Sequence, residues 1–249
     1  MAKFALRQFR FIDAGKHFLQ GVVPQRVLES QIFRVVRSWV FQGALYMDWR
    51  ELSFRLTLEV LLAAMLWFVF QLIMDTSPAL VASVFMSHTV MWVLNGHLWA
   101  LSLGEGRRVA RNRPDGVLQY LQGLNERMTR ARAVKACVIF GSLSRGQFTA
   151  DSDLDIWCVS YGGVINHLIA FSVGVRERSI AAFAMMPIEL YFYDVSRFVG
   201  ADAGERPVLI KDESGEIGLR LSEAMPYRSY PFDEQTFFGP PPSDSDEMH

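Results

Sequence analysis

Val138-Ile-Phe-Gly-Ser-Leu-Ser-Arg-Gly-Gln-Phe-Thr-Ala-Asp-Ser-Asp-Leu-Asp-Ile-Trp-Cys-Val159 is the stretch from which the rest of the chain is read. It opens on an apolar run, Val138 to Phe140, which predicts a buried strand ending at Gly141. Gly141-Ser142 then predicts a tight turn whose backbone amides come close to an anion. A second strand comes next, from Leu154 to Val159. Side chains two apart on a strand share a face, so Asp153 and Asp155 project together while Leu154 and Ile156 point into the core. Two carboxylates held this close repel each other and call for a compensating cation. A hard divalent ion that also bridges to substrate phosphates supplies it. A lone Asp-x-Asp on an edge strand is often a pair of solvated acids; the ordered string of strand, Gly-Ser turn, Arg145-Gly146, Ser152 and acid pair is far more specific.

Gly141-Ser142, ten intervening residues and Asp153-Leu154-Asp155-Ile156 resemble the signature of the DNA polymerase β-like nucleotidyltransferases. The resemblance implies an α+β fold, a small mixed-sheet nucleotidyltransferase domain, here preceded by an α-helical membrane region. It implies that Gly141, Ser142 and Arg145 hold the phosphates of an NTP, and that the acids bind Mg2+ (or Mn2+). It also implies a third acid on a neighbouring strand. Pro187 to Tyr193 reads as that strand by alternation and aromatic content, and Glu189 is the matching acid, where family members often carry Asp. Asp153, Asp155 and Glu189 are thereby the expected catalytic and metal-binding residues. Such a site activates an acceptor hydroxyl for attack on the α-phosphate and stabilises the pyrophosphate leaving group. The acceptor is left open. So is a second possibility, a catalytically inactive membrane-anchored nucleotide sensor or interaction protein.

The resemblance covers about residues 114–220. Asp115-Gly116 predicts the start of a helix through Val117, Leu121, Leu124 and Met128, with Arg127 and Arg130 in a basic last turn. Val164 to about Met186 has helical periodicity, and its Arg176 and Arg178 fit either nucleotide phosphates or a solvated face. Asp194, five residues beyond Glu189, is expected to face the other way and is a poorer ligand. Pro207 to Asp212 reads as a fourth strand.

The N-terminal part differs in kind. Val27 to Val40 carries apolar residues at near-helical spacing between arginines, a pattern shared by a helix packed on its own protein and one lying at a membrane surface. Leu56 to Met74 holds one charge, Glu59, and approaches the roughly 20 residues that span a bilayer core. After Asp75-Thr-Ser-Pro78 a second apolar segment runs to Leu103, interrupted by His88, Asn95 and His97. Arg50 and Arg55 precede the pair, and Arg107, Arg108, Arg111 and Arg113 come after it, while the turn has no Lys or Arg. The expectation is an integral membrane hairpin with the N-terminus and the catalytic domain cytoplasmic. A buried hairpin in a soluble oligomer is the competing reading, and the polar interruptions favour it.

The expected layout is an amphipathic basic helical region at 1–55, a transmembrane hairpin at 56–103, a basic linker at 104–113, the nucleotidyltransferase domain at 114–230 and an acidic, Pro-rich disordered tail at 231–249. A net charge of -1 gives a general polyanion-binding role no support, and the linker arginines lack interleaved aromatics for base stacking, so there is no strong nucleic-acid signal. The expected partners are an NTP, the lipid bilayer, an unidentified acceptor and a partner chain or homo-oligomer. Cys137 and Cys158 are expected to pack as small hydrophobes rather than as a disulfide.

Overall fold

The structure, a computed structural model, describes residues 30–44, 47–97, 101, 113–149, 152–198 and 205–232. The basic region before residue 30, the linker arginines at 107, 108 and 111, and the tail from residue 233 lie outside the described residues. The chain divides into two compact units, Met1–Val109 and Ala110–His249.

The first unit is helical. Helix α1 spans Gln31–Phe41, its N-cap Ser30 accepting from the Phe33 amide. Helix α2 spans Trp49–Phe70, capped by Asp48, and α3 spans Thr76–Leu94. The apolar run alone puts the first span at Leu56; the helix starts seven residues earlier. The Asp48 cap and the i,i+4 pair Glu51–Arg55 (2.6 Å), both side chains buried, carry it across a polar stretch. The second helix ends at Leu94 rather than near Leu103, because Asn95 is followed by Gly96 at φ +75°. At 1.5 Å per residue the helices are about 33 and 28 Å long, and both are long and apolar enough to cross a bilayer. α2 turns Leu56, Val60, Leu61, Met65 and Phe68 outward.

Two of the polar interruptions inside this unit, Glu59 and His88, are matched to each other. His88 Nδ1 lies 2.7 Å from Glu59, and His88 Nε2–H donates to the Trp39 carbonyl at 2.8 Å. Gln42 donates to the His88 carbonyl, the Trp39 indole to Thr89, and the Trp92 indole to Ser38. These bonds tie α1 to α3, and Glu59 brings in α2.

The second unit is α+β. Helix α4 (Pro114–Arg130) opens on Pro114, and then come β1 (Val134–Phe140), β2 (Leu154–Ser160), α5 (Val164–Phe183), β3 (Ile188–Phe192), β4 (Val208–Asp212), α6 (Glu216–Arg220) and β5 (Met225–Pro226). The five strands form one mixed sheet in the order β3-β2-β1-β4-β5. β1 is antiparallel to β2 and β4, β2 is parallel to β3, and β4 is parallel to β5. Phe140 pairs with Asp155, Asp155 with Glu189, Ile139 with Val208, and Val208 with Met225. By this register the end of β1 and the beginnings of the other four strands share one edge of the sheet.

Alternation divides the core between two faces. Leu154, Ile156 and Cys158 are fully buried with Cys137 and Ile139, on the face covered by α5, whose Phe171 ring packs on Phe192. Val138, Phe140, Trp157 and Val159 pack on the other face with Phe198, Ile217 and Leu221. Cys137 and Cys158 stand opposite each other as free thiols, sulfurs 3.4 Å apart.

Neither reading of the α5 arginines from the sequence describes Arg178. Its guanidinium is buried and donates to the Leu190 carbonyl on β3 at 2.7 Å, which fixes the helix to the strand. Arg176 pairs with Glu177 at 2.9 Å, and Arg127 of α4 pairs with the same buried carboxylate at 2.7 Å. Removing one partner of a fully buried ion pair costs about 3–5 kcal/mol. Arg127 and Arg176 reach solvent and rehydrate, so Glu177→Ala is expected to cost about 2 kcal/mol, read as a lowered midpoint in urea unfolding of the full chain. An unchanged midpoint would show that this carboxylate does not hold α4 to α5.

Candidate active site

Asp153 immediately precedes β2, Asp155 is its second residue, and Glu189 is the second residue of β3. The parallel register sets Asp155 beside Glu189. One carboxylate oxygen from each of the three acids lies within 4.8 Å of the others. These are the three acids that the sequence singles out, and the fold brings them together. Asp194 lies beyond the end of β3, is exposed, and is not part of this cluster.

The cluster is electrostatically unfavourable on its own. Partial burial, then the neighbouring Asp153 charge, push the Asp155 carboxyl up to about 6, with Glu205 adding to the rise and Arg145 opposing it. Glu189, whose side chain still reaches solvent, is pushed up to about 7 by partial loss of hydration and then by Asp153 and Asp155. Three convergent carboxylates, two of them reluctant to ionise, are a donor set suited to a hard divalent cation.

Gly141 ends β1 at φ +77°, a conformation that favours glycine. Space makes the same demand, because a Cβ here would sit 2.0 Å from Asp155 Oδ2. The turn after it is closed by Arg145 N–H to the Gly141 carbonyl and Gln147 N–H to the Ser142 carbonyl. The Ser142 hydroxyl is buried with no hydrogen-bond partner among the described residues. Buried polar atoms are ordinarily satisfied, so an orphaned hydroxyl beside the acids fits a site completed by a ligand oxygen.

Glu205, three residues before β4, is the residue that the sequence does not reveal. It is 5% exposed, and its Oε1 accepts from the Gly141 amide (2.8 Å), the Ser144 hydroxyl (2.8 Å) and Arg145 (3.4 Å). Two of the three groups expected to hold phosphate thus already contact a carboxylate of the chain. Its place between apolar Phe198 and β4 carries no periodicity to mark it; the β1–β4 register, invisible locally, brings it to the turn. Tyr230 braces the same turn, its hydroxyl donating to the Leu143 carbonyl at 2.5 Å.

Residues 121–186 match the family model described as a nucleotidyltransferase domain. The match runs from α4 through β1, the Gly141 turn, β2 and α5. It includes Asp153 and Asp155 and stops three residues before Glu189. The α+β fold with its mixed sheet and preceding helices agrees with this likeness, which supports a nucleotidyl-transfer function. No curated protein and no solved structure matches the chain.

Gly141→Ala places a methyl group against the Asp155 carboxylate and is expected to weaken Mn2+ binding roughly 10- to 100-fold, the usual cost of disturbing a ligand's support, with the circular dichroism spectrum unchanged. The pH dependence has a definite sign. Asp155 and Glu189 have ordinary values of 3.8 and 4.5, so between about pH 4 and pH 7 the folded state keeps protons that the unfolded chain has released. Metal-free stability therefore falls as pH rises through that window. Added Mn2+ should raise the melting temperature more at pH 7.5 than at pH 5.5; an equal rise at both would count against this cluster as the binding site.

Proposed function

We propose that the chain is a metal-dependent nucleotidyltransferase that moves an NMP from an NTP to an acceptor hydroxyl at the cytoplasmic face of a membrane. The observation that carries this reading is the convergence of Asp153, Asp155 and Glu189 beside the Gly141-Ser142 turn, where a buried hydroxyl lacks a partner. Asp153, Asp155 and Glu189 would hold Mg2+ or Mn2+. Bound there, such ions neutralise the phosphates and lower the pKa of an acceptor hydroxyl.

The chain's own groups do the positioning. Ser142 would donate its hydroxyl to a phosphate oxygen. Gly141, lacking a side chain, lets the turn approach Asp155 closely enough for one ligand to touch both. Arg145, 39% exposed at its side chain, would swing from Glu205 towards the triphosphate as a charge-assisted donor. Alignment and charge neutralisation, rather than covalent chemistry, would supply the rate.

The cytoplasmic placement rests on the two apolar helices and on arginines in the first two turns of α2 and beyond the end of α3, while the turn between the helices has none. It sets the site where nucleoside triphosphates are abundant. A second reading, a nucleotide sensor without transfer, is favoured by Glu205, which already engages the Gly141 amide and Arg145.

The test is transfer of α-32P label from each NTP, with Mg2+ or Mn2+, in membranes containing the full chain. The Asp153→Asn, Asp155→Asn double variant is the control. Label on a product is expected from the parent chain, at least about 10²-fold reduced in the control. Metal-dependent NTP binding without label would instead support the sensor.

A further inference from the structure

Five hydrogen bonds order α1 against α3 and the residues after it. Gln31 donates to the Leu101 carbonyl, Ser38 to the His97 carbonyl, the Trp92 indole to Ser38, the Trp39 indole to Thr89, and Gln42 to the His88 carbonyl. As residue numbers rise along α1 they fall along α3, so α1 runs beside α3 in the opposite sense. It begins beyond the C-terminal end of α3 at Leu94 and stops level with His88, about 9 Å of helix axis inside that end. Gln42 (φ 44°) and Gly43 (φ 73°) then turn the chain out of the helix, and it reaches the cap of α2 at Asp48.

The last turn of any helix leaves carbonyls without intrahelical partners, and hydrocarbon offers them none. Here the chain supplies them. The Ser38 carbonyl accepts from the Gln42 amide, the Phe41 carbonyl from the Ala44 amide, and the Trp39 carbonyl from His88. A second side of α1 is apolar: Ile32 (78%), Val36 (51%) and Val40 (48%), four residues apart, are exposed. Arg34 and Arg37 precede Ser38, so both charges stay near the level of the end of α3, where headgroups lie when α3 spans a bilayer.

We propose that α1 is a re-entrant membrane segment. It dips into the leaflet from the side that carries both ends of the hairpin, stops at the level of His88, and turns Ile32, Val36 and Val40 to lipid. A helix lying flat on the surface keeps both its ends at headgroup depth, whereas the bonds from Gln31 to Gln42 set the two ends of α1 at different levels of α3. Lipid also accounts for the outward Leu56, Val60 and Leu61 of α2, so one solvent explains both surfaces. His88 then acquires a structural task inside an apolar helix, closing the buried end of α1, with Glu59 holding its other nitrogen. The inference rests on the membrane placement proposed above and is independent of nucleotidyl transfer.

Ile32→Cys, Val36→Cys and Val40→Cys are each made in the full chain, coupled to an environment-sensitive fluorophore and reconstituted in phosphatidylcholine–phosphatidylglycerol vesicles. Cys137 and Cys158 are fully buried, and the parent chain treated alike is the blank. Quenching is compared between lipids with a nitroxide on the headgroup and lipids with one on the acyl chain. The ratio of acyl-chain to headgroup quenching is expected to rise stepwise through 32, 36 and 40, about two-fold or more across about 12 Å of helix axis. Equal ratios at the three positions overturn the proposal in favour of a helix flat on the surface. Absence of quenching at position 40 by either lipid also overturns it, since that strip is then covered by protein or water. Release of the parent chain from native membranes by alkaline carbonate would instead sink the membrane placement itself, and this inference with it.

Discussion

Three carboxylates held within 4.8 Å of one another repel, and the second unit is arranged to hold them there regardless. Asp155 and Glu189 cannot separate without breaking the β2–β3 register, and that register is fixed by Leu154, Ile156, Ile188 and Leu190, all buried. The apolar face of the sheet thus stabilises the repulsive polar edge. Arg178 reinforces this from beneath through its bond to the Leu190 carbonyl, one residue from Glu189.

The Gly141 turn faces a related problem from the opposite direction. It gathers donors, and within one chain those donors need acceptors. Glu205 supplies one oxygen to the Gly141 amide, the Ser144 hydroxyl and Arg145 together. This fixes the turn but adds a negative charge next to Asp155, one of the causes of its raised pKa. Arg145 stands between the two carboxylates in electrostatic effect, stabilising both, and so couples the turn to the acid cluster.

What the sequence makes legible is local. The alternation of Leu154, Asp155 and Ile156 is enough to place acids on one side of a strand and hydrophobes on the other, and the structure has the α+β fold that the Gly-Ser signature implies. The third acid can be found because β3 shows the same alternation. Glu205 cannot, because it lies outside any periodic element and is brought to Gly141 only by β4 pairing with β1. Arg178 misleads for a related reason, since a charge inside an apolar helix looks the same whether it meets solvent or a backbone carbonyl. The helix ends are misjudged where capping outruns hydropathy, as at Asp48 and Trp49. β5, two residues long, has no pattern to read.

The hydrogen bonding of His88 joins a base to an acid on the neighbouring helix. The Trp39 carbonyl can only accept, so Nε2 carries a hydrogen. Nδ1 then faces Glu59 at 2.7 Å, and that contact is attractive only with a second hydrogen between them. Glu59 on α2 and His88 on α3 are thus each other's hydrogen-bond partners. For a hairpin entering a bilayer this matters more than either residue's identity. An unpartnered ion in hydrocarbon is among the costliest groups a helix can carry, and the pairing leaves neither of these two ionisable side chains alone.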